Sequence, residues 1–377
     1  PELIGKYLGR NAKMVMLAFT VLLLIMVGTV FVYSPAEILH SIWGSSLFWI
    51  IVIFAYYVIA TMLPIDKIIG KIYPLFAFSL LFMAGALMVM LFVKMPQLPE
   101  LWTHFYNMGA EAEPEKWTDQ IFPCLFITIA CGAISGFHAT QSPLMARCVK
   151  SEHMGRPIFY GAMITEGVVA LIWATVSSWF FYGSPAPGYE LIAAVNTGFS
   201  TSAPAVVNIV CNDWLGVAGA ILALLGVVAA PITSGDTAFR SARLIIGEWL
   251  HIDQRPIIKR LAICLPLFIS SIAMLVWQIE NPDGFNIIWQ YFGWANQTLS
   301  VFTLWTLTVY LVRQKKPYII TLIPALLMTT VCTTFLFVSK QAFHLPENIG
   351  YLLGILCLVV ALVWFIVWYR KEKSKLV

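Results

Sequence analysis

Ten stretches of this chain are long and apolar enough to cross a lipid bilayer, which takes about 20 predominantly apolar residues as a helix. They run near Met14–Tyr33, Ser46–Leu63, Tyr73–Val93, Ile121–Gly136, Ile158–Phe181, Trp214–Thr233, Leu261–Ile279, Ile287–Val312, Tyr318–Val338 and Ile349–Trp368. Few folds admit such a pattern. Hydrocarbon offers backbone N–H and C=O groups no partner, so each segment must satisfy its own as a helix. Composition excludes a soluble alternative: 11% of the residues are charged, against about 25% in soluble domains, and mean hydropathy is +0.82. The pattern predicts an all-α polytopic membrane protein of about ten transmembrane helices, with residues 1–377 forming one transmembrane domain.

The connections test that count, because short cytoplasmic loops carry an excess of Lys and Arg. With ten spans, one side collects Lys6 to Lys13, Lys67 and Lys71, Arg147 to Arg156, Arg240 to Arg260, Arg313 to Lys316, and Arg370 to Lys375. The opposite side holds only Lys94, Lys116 and Lys340 of the 23 Lys and Arg residues. Both termini are therefore expected in the cytoplasm. Lys94–Asp119 becomes an acidic external loop. Arg240–Leu250, with Arg240 and Arg243 three apart and Leu244, Ile245 and Trp249 on another face, becomes an interfacial amphipathic helix.

One apolar run is interrupted. Gly132 and Gly136 break Ile121–Ile134, and His138, Thr140, Gln141 and Ser142 follow before Pro143. Unwound backbone is tolerated at membrane depth only where protein buries it or it lines a watery cavity. A Gly/Pro-interrupted hydrophobic segment is the best pointer in a sequence to the binding site of a secondary transporter.

Ionisable residues inside spans are few and are candidates by their cost. Asp236 ends the sixth span in Pro231-Ile232-Thr233-Ser234-Gly235-Asp236-Thr237. Hydroxyl oxygens and freed carbonyls there suit a hard cation such as Na⁺, and the carboxylate suits a proton. Asp236 also reads as a helix cap with Arg240 as its ion-pair partner four residues on. Glu166, inside the fifth span, is a proton carrier or a carboxylate paired with Arg147 or Arg156. His138 is a structural hydrogen-bonding residue or a proton relay. On the polar eighth span Gln290, Gly293 and Gln297 share a face, with Trp294 and Thr298 nearby. That face lines a water path or a neighbouring helix. Seven scattered Cys form no C-x-x-C pair and no nucleotide-binding loop is present, so no cofactor, metal site or nucleotide-driven pump is expected.

Ser135–Cys148 (SGFHATQSPLMARC), Ala230–Ile245 (APITSGDTAFRSARLI) and Ala203–Gly216 (APAVVNIVCNDWLG) resemble hallmark stretches of the carbon starvation protein family, CstA. The likeness covers essentially the whole chain. It implies a partial five-plus-five inverted-repeat core of the LeuT/APC type. In that family an opening region with a broken helix precedes the stretch similar to Pro1–Arg10, so the resemblance implies an N-terminally truncated member lacking the first two core helices. The first span then corresponds to the third core helix, Ile121–Gly136 to the sixth and second broken one, and Trp214–Thr233 to the eighth. An outer lid between the seventh and eighth core helices corresponds to Ser202–Val210.

The resemblance also implies a function: uptake of peptides or small carboxylates such as pyruvate during carbon starvation, across the bacterial inner membrane, by alternating access coupled to H⁺ or Na⁺. Substrate would meet Gly132, Ser135, Gly136, His138, Thr140, Gln141, Gln290, Trp294 and Gln297. Ion coupling would use Thr233, Ser234, Asp236, Thr237 and Glu166. Expected partners are a small-molecule substrate and the lipid bilayer, not nucleic acid. Two rivals are weaker. An ion channel lacks an acidic ring in this sequence, and an intramembrane enzyme lacks paired acid/base or metal-ligand residues such as HExxH.

Overall fold

The computed structural model describes residues 2–62, 66–96, 98, 121–182, 203–281, 284–340 and 342–376, and among these every regular element is helical. Twelve α-helices are α1 (Glu2–Leu8), α2 (Arg10–Ile42), α3 (Ser46–Met62), α4 (Asp66–Lys94), α5 (Phe126–Ala130), α6 (Phe137–Cys148), α7 (Gly161–Tyr182), α8 (Ala203–Trp249), α9 (Ile257–Glu280), α10 (Gly284–Arg313), α11 (Ile319–Val338) and α12 (Glu347–Leu376). Short π turns at Ile121–Leu125 and Arg156–Tyr160 lead into α5 and α7. The predicted external loop Lys94–Asp119 lies, apart from residues 94–96 and 98, outside the described residues.

Seven of the described helices are long and apolar enough to span a membrane, against the ten segments read from sequence. Three differences account for the gap. Helix α3 has 17 residues. The interrupted run is divided into α5 and α6. Helix α10 has 30 residues, but Gln290, Asn296 and Gln297 lower its hydropathy. The sixth span and the stretch read as an interfacial helix are one element. Helix α8 runs through Arg240 to Trp249, with a kink at Gly216, where φ is +63°.

The helices form two units. Unit 1 comprises Pro1–Leu23, Tyr106–Met163 and Phe285–Val377. Its core gathers Ile127 of α5, Leu304 of α10, and Ala325, Met328, Val331 and Phe335 of α11. Aromatic groups extend it: the Tyr351 hydroxyl on α12 donates to Phe122 O at 3.0 Å, and Trp305 Nε1 donates to Thr329 Oγ1 at 3.1 Å.

Unit 2 comprises Leu24–Phe105 and Ile164–Gly284. Here α8 packs along α4 and against α3 and α9. A buried aromatic group joins them, with Phe239 ring centres 5.8 Å from Tyr57 and 5.2 Å from Phe268. Pro35 inside α2 supplies no N–H, so the carbonyl of Phe31 four residues earlier loses its helical donor. Tyr57 on α3, fully buried, replaces it. Its hydroxyl lies 2.8 Å from Phe31 O and 3.1 Å from Pro231 O, sharing one proton between α2 and α8. Gly235 makes room for that hydroxyl, since a Cβ there would stand 2.3 Å from the Tyr57 oxygen.

Candidate functional site

Within unit 1 the helix is interrupted between α5 and α6. After α5 the chain tightens: Cys131, Gly132 and Ala133 N–H groups each bond a carbonyl three residues back, at 3.2, 3.2 and 3.0 Å. It then turns, and α6 begins at Phe137. Such a turn exposes donors that no helix satisfies. Two side chains take them up.

His138 serves its own helix end. The Ser135 N–H donates to His138 Nδ1 at 3.1 Å, while His138 N–H donates to Ser135 O at 3.0 Å. Only one of these bonds uses a side chain: His138 reaches back to the Ser135 N–H as the N3 Glu of a capping box does, while the return bond is backbone to backbone. Because Nδ1 accepts, the neutral ring carries its proton on Nε2.

Asn296 of α10 serves both sides of the turn. It is fully buried. Its Oδ1 accepts from Ser135 Oγ at 3.0 Å and from Gly136 N–H at 2.8 Å. Its Nδ2 donates to Cys131 Sγ at 3.3 Å. One amide thus ties the two lips of the break to a neighbouring helix. The approach is close enough to demand glycine: a Cβ on Gly136 would sit 2.6 Å from Asn296 O and 2.8 Å from Leu299 Cβ. Asn296 was visible in sequence as one polar residue of the eighth span. Its partners stand 160 and 161 residues away, beyond any local pattern.

The remaining substrate candidates are placed as follows. Gly132 and His138 are half-buried and Thr140 is buried. The Gln141 side chain is outside the described part. Trp294 donates from Nε1 to Cys332 O on α11 at 3.0 Å and meets Phe19 edge-on at 5.6 Å. Gln297 is fully buried. Its Oε1 accepts from Ser300 Oγ at 3.2 Å, and its Nε2 has no partner. A dry donor of this kind calls for a water or a ligand acceptor. Gln290 is half-buried, two turns before Gln297 on α10. Ser135, Gly136 and Asn296 are therefore brought into direct contact, while Trp294 is committed to α11.

The ion-coupling candidates all belong to unit 2. Asp236 is fully buried, and Arg240 Nη2 stands 3.4 Å from both carboxylate oxygens. The same nitrogen is 3.4 Å from Ala60 O, and Arg243 Nη1 donates to Thr61 O at 2.7 Å. Two guanidiniums thus meet the C-terminal carbonyls of α3, where the helix dipole is negative. The ion pair with Arg240 is present, but α8 runs on through Asp236, which therefore caps no helix. Thr233 Oγ1 donates to Ala230 O and Thr237 Oγ1 to Thr233 O, each at 2.9 Å. Both hydroxyl protons are spent within α8, which leaves oxygen lone pairs as the coordinating feature. Ser234 is half-buried, and Glu166 is exposed on α7.

Comparison with known proteins adds the following. A sequence model of the family described as "Carbon starvation protein CstA" matches residues 3–214 and 188–335. An uncharacterized membrane protein of Haemophilus influenzae is 40% identical over 241 residues, covering 52% of this chain and 65% of that protein. The peptide transporter CstA of Bacillus subtilis is 28% identical over 328 residues, covering 77% of this chain and 54% of the transporter. The pyruvate/proton symporter BtsT of Escherichia coli is 41% identical over 75 residues, covering 20% of this chain and 10% of the symporter. The chain spans about half the length of the curated peptide transporters it matches. No solved structure matches.

Proposed function

The chain belongs to the carbon starvation protein CstA family, and on that premise we propose that it works in a secondary active transporter for peptides or small carboxylates such as pyruvate, used when carbon is scarce. The relatives named peptide transporters support the carrier class over an enzyme. The short likeness to a pyruvate/proton symporter favours keeping pyruvate beside peptides. In this reading ten helices cross the bacterial inner membrane with both termini cytoplasmic, and they form most of a five-plus-five inverted repeat.

The observation that carries the proposal is the Asn296-held break at residues 131–136. A pre-shaped unwound segment presents backbone dipoles to a polar substrate without unfolding a helix each cycle. The carbonyls around Gly132, with Thr140, Gln141 and the open Nε2 of Gln297, would meet the substrate. Gln290 and Trp294 would shape its surroundings. Coupling would run through Asp236. A cation coordinated by Asp236, Thr233 and Ser234 competes with Arg240, and a proton on Asp236 releases Arg240. Either event changes how α8 grips the end of α3. Thr237 and Glu166 are secondary members of this set.

The test is uptake of a labelled dipeptide and of labelled pyruvate by proteoliposomes of the complete protein under an inward pH or Na⁺ gradient. One gradient is expected to drive accumulation of one substrate, and Asp236→Asn to abolish the gradient's effect. Accumulation of neither substrate under either gradient would sink the proposal.

A further inference from the structure

Unit 1 carries an open cleft of about 450 Å³ between α1, α10 and α12. Its walls are Val301, Trp305 and Val309 of α10 and Ala361, Trp364 and Trp368 of α12. From Val301 to Val309 a helix rises about 12 Å. One leaflet of hydrocarbon is about 15 Å deep, half of a core about 30 Å thick. The cleft is thus an apolar slot nearly as deep as a leaflet. The Thr329 hydroxyl in it is already used, donating to Ala325 O and accepting from Trp305 Nε1. The slot suits a hydrocarbon chain.

One end of the slot is cationic. Tyr7 closes it, with Lys6 Nζ and the Arg313 guanidinium each 5.7 Å from its ring centre. Glu372 accepts from Arg313 Nε at 2.9 Å and offsets one charge. Arg10, Lys315, Lys316, Arg370 and Lys371 follow on adjoining residues, so the end stays strongly positive. Trp368 and Tyr369 stand directly before Arg370, in the order of an aromatic belt at a membrane surface.

We infer that this cleft holds one anionic phospholipid of the surrounding membrane, an acyl chain lying between α10 and α12 and the phosphate against the Lys6–Arg313 end. Charge selects the lipid. A basic pocket between membrane helices favours an anionic headgroup, whereas a zwitterionic lipid fills the slot without that gain.

The test uses the full chain, purified in detergent, stripped of lipid and titrated with phosphatidylglycerol or phosphatidylcholine, with bound lipid counted by native mass spectrometry. One phosphatidylglycerol per chain is expected at concentrations where phosphatidylcholine is not retained. Lys6→Gln, at an exposed position, should weaken retention about fivefold, the worth of one basic residue near an anionic surface. Ala361→Trp should fill the slot and remove retention with the far-ultraviolet circular dichroism unchanged. If that variant does not fold, Val301→Phe narrows the same slot from the opposite wall. Equal retention of the two lipids, wild-type retention in Lys6→Gln or in the slot-filling variant, or a second copy of the chain bound in place of lipid would each overturn the inference.

Discussion

Asn296 gives the broken segment the hydrogen bonds that a continuous helix would have made for itself. Interhelical hydrogen bonds in membranes average only about 0.6 kcal/mol, so stability alone is a weak reason for a buried amide here. What sets its worth is the alternative. Without Asn296 the Gly136 N–H and the Ser135 hydroxyl lose the acceptor at 2.8 and 3.0 Å in a buried setting. Leaving a buried donor dry costs about 1–3 kcal/mol. Asn296→Ala is therefore expected to destabilise the protein by about 1–3 kcal/mol, chiefly through the Gly136 N–H, in denaturant or thermal unfolding in detergent. Asn296→Asp keeps the acceptor and loses only the donor to Cys131, so it should lie closer to wild type in structure while adding a charge that must be neutralised. Gly136→Ala should match or exceed the loss of Asn296→Ala, because its Cβ meets backbone of α10, which cannot rotate away as a side chain can. If Gly136→Ala unfolds like wild type, the close approach of the two segments is wrong. Pro143, read as stopping the run, lies inside α6 and does not end it. The break itself was legible in Gly132 and Gly136. Its partner was not, because a contact 160 residues apart leaves no trace in spacing. His138 lay between. Its bond to the Ser135 N–H is local, but the residue that usually reaches back to a helix-start N–H is Glu or Gln, and a His there reads as a titrating group first.

At the scale of elements, prolines and their neighbours organise unit 2. Pro35 frees Phe31 O and Tyr57 captures it, while Gly235 leaves the space that capture needs. Tyr57→Phe should cost about 1 kcal/mol, the worth of the hydrogen bond it shares between Phe31 O and Pro231 O. A sharper expectation comes from a double-mutant cycle. Pro35→Ala restores an N–H at position 35, which bonds Phe31 O within α2. In that background Tyr57→Phe should cost measurably less, and additivity of the two changes would show that Tyr57 does not answer to the proline. The apolar pattern marked α2, α3 and α8 as helices, and the motif around Asp236 marked the inner part of α8 as unusual. The seat of Arg240 and Arg243 was harder to read. Their three-residue spacing beside apolar residues has the pattern of a surface helix, but both guanidiniums turn to the carbonyls that end α3. Helix C-termini accept such groups wherever two elements happen to meet, and hydropathy carries no record of that meeting.

At the scale of the whole molecule, seven described helices meet the criteria of length and apolarity for crossing the membrane, and ten were read from the apolar runs. The two counts assign sides differently. With seven crossings no span separates Lys94 from Lys150, and one separates Arg260 from Arg313. Lys67 and Lys71 then fall opposite Lys6, and the 23 basic residues scatter over both faces. With ten crossings the broken helix counts as a span, Lys94 and Lys150 lie on opposite faces, and only Lys94, Lys116 and Lys340 remain outside. Short loops follow the basic-residue bias because moving each charge across hydrocarbon is costly, so ten is the expected count. A helix can be counted out by hydropathy and still cross where a break or buried polar groups interrupt it: α5 and α6 are short because they are unwound between them, and α10 is polar where Asn296 and Gln297 are buried in protein. Single Lys94→Cys and Lys150→Cys variants, in a background with the seven native Cys replaced, should react with a membrane-impermeant maleimide from opposite sides of sealed vesicles. Labelling of both from one side would remove the broken segment from the set of crossing helices, and with it the reason to seek a substrate at residues 131–136.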